Sequence, residues 1–210
     1  MSSNNKGLRK ALMGAILALA AIAAPAQALD FTNVAYIQAG TAPTSIPVGH
    51  MEFCKTRPQE CAPHKQVVDA ISLDERLWGE LLNINAYVNQ TVTPVTDQDL
   101  YQTEEFWTYP NGYGDCEDYV LEKRRHLINA GWPASALLIS VVKQLNGEGH
   151  AVLVVRTDRG DLVLDNQVGS VELWSDTPYV YVKRQSQANA GQWVDMVETR
   201  DTVTITAAIK

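Results

Sequence analysis

The chain has 210 residues, of which 46% are hydrophobic and 20% are charged, and its 17 basic and 24 acidic side chains give a net charge of −7. This acidic balance argues against nucleic acid or anionic lipid as the main partner, because both bind basic surfaces. The length is sufficient for one domain with a substantial hydrophobic core.

Residues 1–28 have the layout of a secretory signal peptide. Three basic residues precede an apolar run over residues 11–24, and a small-residue cleavage site, Ala-Gln-Ala, ends at Ala28. Because the run is shorter than the roughly 20 residues that span a bilayer, we favour cleavage after Ala28 over an uncleaved N-terminal anchor. The predicted mature domain, residues 29–210, would then work in the periplasm with 14 basic and 24 acidic side chains.

Residues 29–65 are rich in proline, threonine and glycine, and this composition predicts an extended arm. Cys54 and Cys61 lie in this arm. In an oxidising compartment two close cysteines most simply form a disulfide, which would stabilise the fold by about 2–3 kcal/mol. The alternative is a zinc site, because His50 and His64 flank the pair, but this spacing matches no established zinc motif.

Residues 72–75, with the sequence Ser-Leu-Asp-Glu, match a capping box with Ser72 as the N-cap. Apolar residues then recur close to helical spacing up to about Asn89; they are Trp78, Leu81, Leu82, Ile84 and Val88. These features predict an amphipathic helix. A polar connection over residues 91–111 follows, and it contains Asp97 and several other acidic side chains.

A second helix is predicted to begin after Asp115, a favourable N-cap residue, and to end at Gly131. Apolar residues give this helix one buried side. Lys123, Arg124 and Arg125 are predicted to lie on the opposite side, near the negative end of the helix dipole.

The rest of the chain predicts an antiparallel sheet, with turn signals at Asn146-Gly147 and over residues 157–160. The predicted strands cover residues 136–142, 151–155, 162–164, 179–182 and 202–205. Helices followed by an antiparallel sheet define an α+β fold.

Cys116, His150 and Asp165 supply, in that order, a thiol nucleophile, a general base and a carboxylate that orients the base. Cys116 lies at a predicted helix start, where the helix dipole favours the thiolate and backbone N–H groups can hold an oxyanion. The predicted turn over residues 157–160 lies midway between His150 and Asp165, so the two should be facing or diagonal neighbours. Alone, each is best interpreted as a strand-end polar residue, but the combination favours catalysis.

Asp115, Glu117 and Asp118 surround the cysteine, and their negative charges would oppose formation of the thiolate. A divalent cation would cancel these charges, and carboxylate oxygens suit calcium. The alternative interpretation is that these acids only favour the start of the helix. The residues themselves leave both interpretations open, although the spacing is not that of an EF-hand.

Several segments together resemble the bacterial transglutaminase-like cysteine proteinases, in particular their LapG-type branch. They are Trp107, the Gly-Asp-Cys-Glu-Asp-Tyr run at 114–119, Gly-His-Ala-Val-Leu at 149–153 and Leu-Asp-Asn at 164–166. The cysteine segment at 53–61 and the helix around Trp78 are also similar, so the resemblance covers about residues 50–185. The run at 114–119 is its most specific part.

The resemblance implies a papain-like, transglutaminase-type core with helices packed on an antiparallel sheet. By position it makes Cys116 the nucleophile, His150 the base and Asp165 the orienting group. It implies calcium bound chiefly by Asp115 and Glu117, with Asp118 as a further ligand. The implied partners are a large surface adhesin, cleaved in biofilm control, and an inner-membrane cyclic-di-GMP receptor, which the residues of this chain do not themselves identify.

The sequence therefore predicts a calcium-dependent periplasmic cysteine endopeptidase. An acyl transferase or amidase with the same triad is the enzymatic alternative, because either an amine or water can resolve an acyl-enzyme. The alternative without enzyme activity is a calcium-binding periplasmic module whose triad is idle. Trp107 and Asn166 are weak candidates for a second oxyanion donor.

Overall fold

The computed structural model describes residues 36–200. The predicted signal peptide at 1–28 and the predicted strand at 202–205 lie outside the described residues. Within the described range, no helix has the length and apolarity needed to cross a membrane.

The α-helices precede most strands of the antiparallel sheet along the described chain. The helices are α1 (Val48–Thr56), α2 (Glu75–Thr91), α3 (Asp97–Tyr101) and α4 (Cys116–Asn129). The strands are β1 (Gln38–Thr44), β2 (Thr93–Pro94), β3 (Tyr113–Gly114), β4 (Leu137–Lys143), β5 (Gly149–Thr157), β6 (Gly160–Leu164), β7 (Glu172–Leu173), β8 (Val180–Gln185) and β9 (Trp193–Val197).

Seven strands form one sheet in the order β1-β9-β8-β4-β5-β6-β7, and all of its neighbouring pairs are antiparallel. The short strands β2 and β3 pair in parallel beside it. Side chains on the central strands alternate between two hydrophobic clusters, as strand geometry requires. Leu153 packs with Leu127 of α4 on the helical face, whereas Val152 and Val154 pack with Tyr181 on the other face.

The predicted extended arm at 29–65 is wrong in its described part, because that part contains strand β1 and helix α1. β1 is an edge strand with mostly exposed side chains, so it lacks the apolar alternation that identifies a strand in a sequence. Its pairing with β9 specifies it, and β9 itself was not predicted from the sequence.

The start of α2 also differs from the prediction. Asp74 is the N-cap residue, and its Oδ1 accepts a hydrogen bond from the backbone N–H of Leu77 at 2.7 Å. The hydroxyl of Ser72 instead donates to the carboxylate of Asp158 at 3.0 Å. Ser72 is therefore used to bind the β5–β6 turn, and the capping box is not formed.

Helix α4 begins after Asp115 and is followed by Gly131 with φ of 96°, as predicted. The predicted placement of the basic residues opposite the buried side of the helix is wrong for two of them, because Lys123 is fully buried and Arg124 is only 5% exposed. The guanidinium of Arg124 donates to the carbonyl oxygen of Leu137 at 3.1 Å. Both faces of α4 near its middle are therefore covered by protein.

Cys54 and Cys61 form a disulfide, with their Cα atoms 5.6 Å apart, and this confirms the predicted pairing over the zinc alternative. The disulfide joins α1 to the short 3₁₀ helix Pro58–Cys61. His50 lies beside it, and its Nδ1 accepts a hydrogen bond from the Trp193 indole at 3.2 Å. Burial lowers the pKa of His50 to about 4, so its ring is neutral.

Two helical glycines provide a matched test of the packing of α1. A Cβ atom at Gly49 would lie 2.2 Å from Cδ1 of the Trp107 indole, whereas one at Gly79 in α2 would meet no atom within 4 Å. We predict that Gly49→Ala lowers the free energy of unfolding by about 1–3 kcal/mol because it overpacks the helix against Trp107. Gly79→Ala should raise it by up to about 1 kcal/mol through helix propensity. Urea unfolding measures both, and equal effects would contradict the close packing.

Candidate active site

Cys116 is the first residue of α4, and a short parallel ladder places the helix start. The backbone N–H of Val95 donates to the carbonyl oxygen of Gly114 at 3.0 Å. A Cβ atom at Gly114 would lie 2.6 Å from Oδ2 of Asp118, so only glycine allows this approach. This places Cys116 in the first turn of α4, where backbone N–H groups have no partner within the helix, and in the wall of a groove.

His150 and Asp165 meet at the open end of the β5–β6 hairpin. Leu153 pairs with Leu164 in this hairpin, which makes the two polar residues diagonal neighbours. His150 Nε2 and Asp165 Oδ1 are 2.9 Å apart, and both side chains are buried. The predicted proximity of these two residues is therefore confirmed.

Asp165 is held as a carboxylate by several donors. Besides His150, the backbone N–H of Gln167 donates to Oδ1 at 2.9 Å, and the Tyr179 hydroxyl donates to Oδ2. Burial by itself would raise the pKa of Asp165, but the hydrogen bond and charge of His150 and the bonds from Tyr179 and Gln167 outweigh burial and lower it. An ionised Asp165 makes His150 Nε2 the protonated nitrogen, which leaves Nδ1 as the basic atom.

The Cys116 thiol is held in its protonated state in this arrangement. It donates to Oε2 of Glu117 at 3.2 Å, and within residues 36–200 no hydrogen bond joins it to His150. Burial and then the charge of Glu117 raise the pKa of Cys116 well above its usual value, against a smaller lowering by the backbone of Ala151. Activation therefore requires that the thiol leave Glu117 and that the local negative charge be compensated.

Two cavities adjoin each other at Cys116. One cavity of about 480 Å³ and another of about 260 Å³ share Cys116, Gly149 and His150 in their walls. The larger cavity continues, through shared residues Glu105 and Trp107, into a third of about 700 Å³ beside α1. The thiol thus lies along an extended groove, which can accommodate a chain that continues past it in both directions.

The two cavities have different residues in their walls. The 480 Å³ cavity is lined by apolar and charged residues; the apolar ones are Pro47, Val48, Trp107, Val141 and Ala151, and the charged ones include Glu105, Glu117 and Lys183. The polar residues in the wall of the 260 Å³ cavity include Thr96, Asp115, Gln144, Asn166 and Gln167. The weak oxyanion candidates lie in different walls, Trp107 in that of the 480 Å³ cavity and Asn166 in that of the 260 Å³ cavity.

Three carboxylates form a cluster next to Cys116. One oxygen from each of Asp97, Asp115 and Glu117 lies within 4.8 Å of the others. Oδ1 of Asp97 and Oδ1 of Asp115 are buried and have no hydrogen-bond partner among the described residues. Convergent, unsatisfied carboxylate oxygens fit a calcium ion, whose protein ligands are oxygens.

Asp97 was not predicted as a member of this cluster. It lies in α3, and its backbone N–H donates to Oδ2 of Asp115 at 3.2 Å. The predicted ligand Asp118 lies outside the group of three, and its Oδ1 accepts from the backbone N–H of Thr108 at 2.8 Å. No local sequence pattern predicts that Asp97 joins this cluster, because it reaches Asp115 only when the 91–111 connection folds.

Burial holds the pKa values of three acids in this region above their ordinary values. Burial, and then the charge of Asp115, raises the pKa of Glu117, while burial raises the pKa of Asp118 to about 8. The pKa of Asp97 is also raised by burial, despite a backbone hydrogen bond from Phe106. A cation would displace protons from such a site.

Asp118 gives a pH-dependent prediction for the metal-free protein. Its folded pKa of about 8 exceeds the unfolded value near 3.8, so the folded state binds more protons between these values and loses stability as pH rises. Asp118→Asn mimics the neutral acid. In chelator, the stability of this variant relative to wild type should therefore increase from about pH 5 to about pH 8.

Urea unfolding of both proteins at each pH measures this difference. The comparison with the variant is needed because the lowered pKa of His50 acts in the opposite direction at acidic pH. Exposed Asp195 in β9 provides the control, since Asp195→Asn should show no such trend. A relative stability that is independent of pH would show that Asp118 is ionised in the folded protein.

The comparisons with known proteins agree with this geometry. Residues 40–201 match the family model described as bacterial transglutaminase-like cysteine proteinase, BTLCP. The fold and the family together define a cysteine peptidase with a transglutaminase-like core. The chain belongs to the bacterial transglutaminase-like cysteine proteinase family, and the α+β fold predicted from the sequence is confirmed.

Solved structures of LapG from Legionella pneumophila are similar at the level of the fold. The calcium-bound form has 23% identity and a TM-score of 0.49, covering 63% of this chain and 78% of that chain. The EGTA-treated form has 21% identity and a TM-score of 0.48, with 63% and 79% covered. A third LapG structure has 26% identity and a TM-score of 0.47, with 56% and 68% covered. The comparison with curated proteins finds no match.

Proposed function

We propose that this peptidase is a calcium-dependent periplasmic endopeptidase with Cys116 as nucleophile, His150 as general base and Asp165 as the group that orients the base. The observation that carries the endopeptidase assignment is the groove that continues on both sides of Cys116. A polypeptide can lie through such a groove, whereas a small amide needs only one of its ends.

In the proposed reaction, His150 Nδ1 takes the proton of the Cys116 thiol, and the sulfur attacks the peptide carbonyl carbon. Free N–H groups at the start of α4 face the developing oxyanion. The protonated imidazole then gives its proton to the leaving amine, and water releases the acyl group from sulfur. Asp165 keeps Nε2 protonated throughout and stabilises the imidazolium.

Asp97, Asp115 and Glu117 would hold the calcium ion in this proposal. The ion supplies positive charge that offsets the carboxylates around the thiol. The Cys116 thiol donates a hydrogen bond to Oε2 of Glu117, with 3.2 Å between sulfur and oxygen. This hydrogen bond must break before His150 can accept the thiol proton. The unpartnered oxygens of Asp97 and Asp115 support this assignment.

The periplasmic location is supported by the predicted signal peptide at 1–28 and by the disulfide, which persists in oxidising compartments. The family resemblance adds a substrate and a regulator to the proposal. The substrate would be a large surface adhesin whose cleavage releases cells from a biofilm, and the regulator an inner-membrane cyclic-di-GMP receptor.

The catalytic roles predict a graded series of variants. Cys116→Ala and His150→Ala should reduce kcat on a peptide substrate by about 10⁶-fold, because either change removes the activated nucleophile. Asp165→Asn should cost about 10⁴-fold, since it misorients the base without deleting it. Asp195→Asn, on an exposed position of β9, is the matched control. Turnover by Cys116→Ala at the wild-type rate would contradict the assignment of Cys116 as the nucleophile.

The calcium site predicts a difference between two aspartates of α3. Asp97 is buried in the carboxylate cluster, whereas Asp99 is exposed and accepts from the Thr96 hydroxyl. In calorimetric titration of the mature protein, Asp97→Asn should weaken calcium binding by at least about tenfold, and Asp99→Asn should leave it near wild type. Cleavage should stop in excess chelator and return with calcium. Equal affinities of the two variants would contradict the assigned ligand set.

A further inference from the structure

Two side chains of helix α2 form hydrogen bonds with the backbone of the loop that contains Asp165. Residues 165–169 follow the last residue of β6, and the side chains of two asparagines bind both ends of this loop. Nδ2 of Asn89 donates to the carbonyl oxygen of Asp165 at 2.8 Å, and Nδ2 of Asn85 donates to the carbonyl oxygen of Gly169 at 3.1 Å. The two asparagines are one helical turn apart, so one face of α2 serves the whole loop.

Asn85 is an unexpected residue for stability alone. It is 1% exposed and lies between Leu81 and Val88 in the buried stripe of α2. An apolar side chain there would contribute more to stability than one neutral hydrogen bond does. A buried amide at this position is therefore better explained by what it holds than by the packing of the helix.

The facing helix α4 adds a buried charge at the same place. The Lys123 ammonium is fully buried, has no hydrogen-bond partner in the described part of the chain, and lies 5.9 Å from the Tyr119 ring centroid. Tyr119 packs with Val88 of α2, so the ammonium lies on the side of α4 that faces α2. Burial lowers the pKa of Lys123 to about 7, and the charge of Asp165 opposes this lowering.

The unpartnered groups on the two helices are complementary. Oδ1 of Asn85 and Oδ1 of Asn89 are buried and, in the described chain, accept no hydrogen bond, while Lys123 carries only donors. Polar groups in a protein interior are stable only when such needs are met. Two amide acceptors on α2 and one ammonium donor on α4 thus remain without hydrogen-bond partners in the described chain, on helices that pack against each other.

We propose that Asn85 and Asn89, with Lys123 as the buried charge on the facing helix, are positioning residues that fix the 165–169 loop and thereby hold the Asp165 carboxylate on His150. The inference rests on the proposed function of the triad. Movement of the loop would carry away both the carboxylate and the Gln167 N–H that donates to it at 2.9 Å. None of the three residues contacts the groove in its described walls.

The test compares Asn89→Ala with Asn83→Ala, the same substitution at an exposed position of α2. The mature protein, labelled with ¹⁵N-histidine and saturated with calcium, is used for NMR of the His150 Nε2 proton. In Asn89→Ala this proton should exchange with water at least about tenfold faster, because its bond to Asp165 is less well held. The kcat for peptide cleavage should fall by a similar factor with KM unchanged.

Two further variants keep the test decisive if Asn89→Ala folds poorly. Asn89→Leu removes the donor while it raises the helix propensity of the position, so it should show the same faster exchange without a weaker helix. Lys123→Met removes a buried charge, and it should raise the melting temperature while also accelerating exchange. A structural role alone would make stability and exchange change together, so opposite directions identify positioning.

Unchanged exchange in Asn89→Ala and Asn89→Leu would overturn the proposal for the asparagines, and unchanged exchange in Lys123→Met would remove Lys123 from it. Faster exchange with unaltered kcat would establish the positioning of Asp165 but contradict the proposed catalytic role of the triad. The exchange measurement requires no substrate, so the two failures are distinguishable.

Discussion

The structure depends on one electrostatic constraint, which is that a thiol must ionise beside buried carboxylates. Burial and the charge of Glu117 raise the pKa of the Cys116 thiol, which donates a hydrogen bond to Glu117. Burial strengthens the effect, because like charges repel more strongly away from water. In this account the same acids that suppress the nucleophile are the ligands of the ion that releases it.

The two halves of the site are prepared by different parts of the fold. His150 and Asp165 are joined by backbone pairing in the β5–β6 hairpin and by a buried hydrogen bond of 2.9 Å, and none of these requires a metal. Cys116 lies on α4, where its state depends on nearby charge. In the proposed mechanism the base is therefore preorganised, whereas the state of the thiol depends on the charge beside it.

Local signals in the sequence were sufficient for the core of this site. The N-cap at Asp115, the φ-positive Gly131 and the turn between β5 and β6 are short-range features, so they predicted α4 and the meeting of His150 with Asp165. The cysteine spacing similarly predicted the disulfide. Each of these features is determined within a few residues or within one hairpin.

The features that were missed depend on tertiary structure. Asp97 reaches the carboxylate cluster only when α3 packs against the start of α4. Edge strand β1 is specified by β9, which pairs with it from the far end of the chain. Lys123 contradicts the rule that charged side chains face solvent, because tertiary packing buries it completely.

The most direct test of the account is the pH dependence of Cys116 alkylation by iodoacetamide, measured with calcium and with chelator. We predict a lower apparent thiol pKa with calcium and at least about tenfold faster alkylation at neutral pH; identical pH profiles in the two conditions would contradict the central claim.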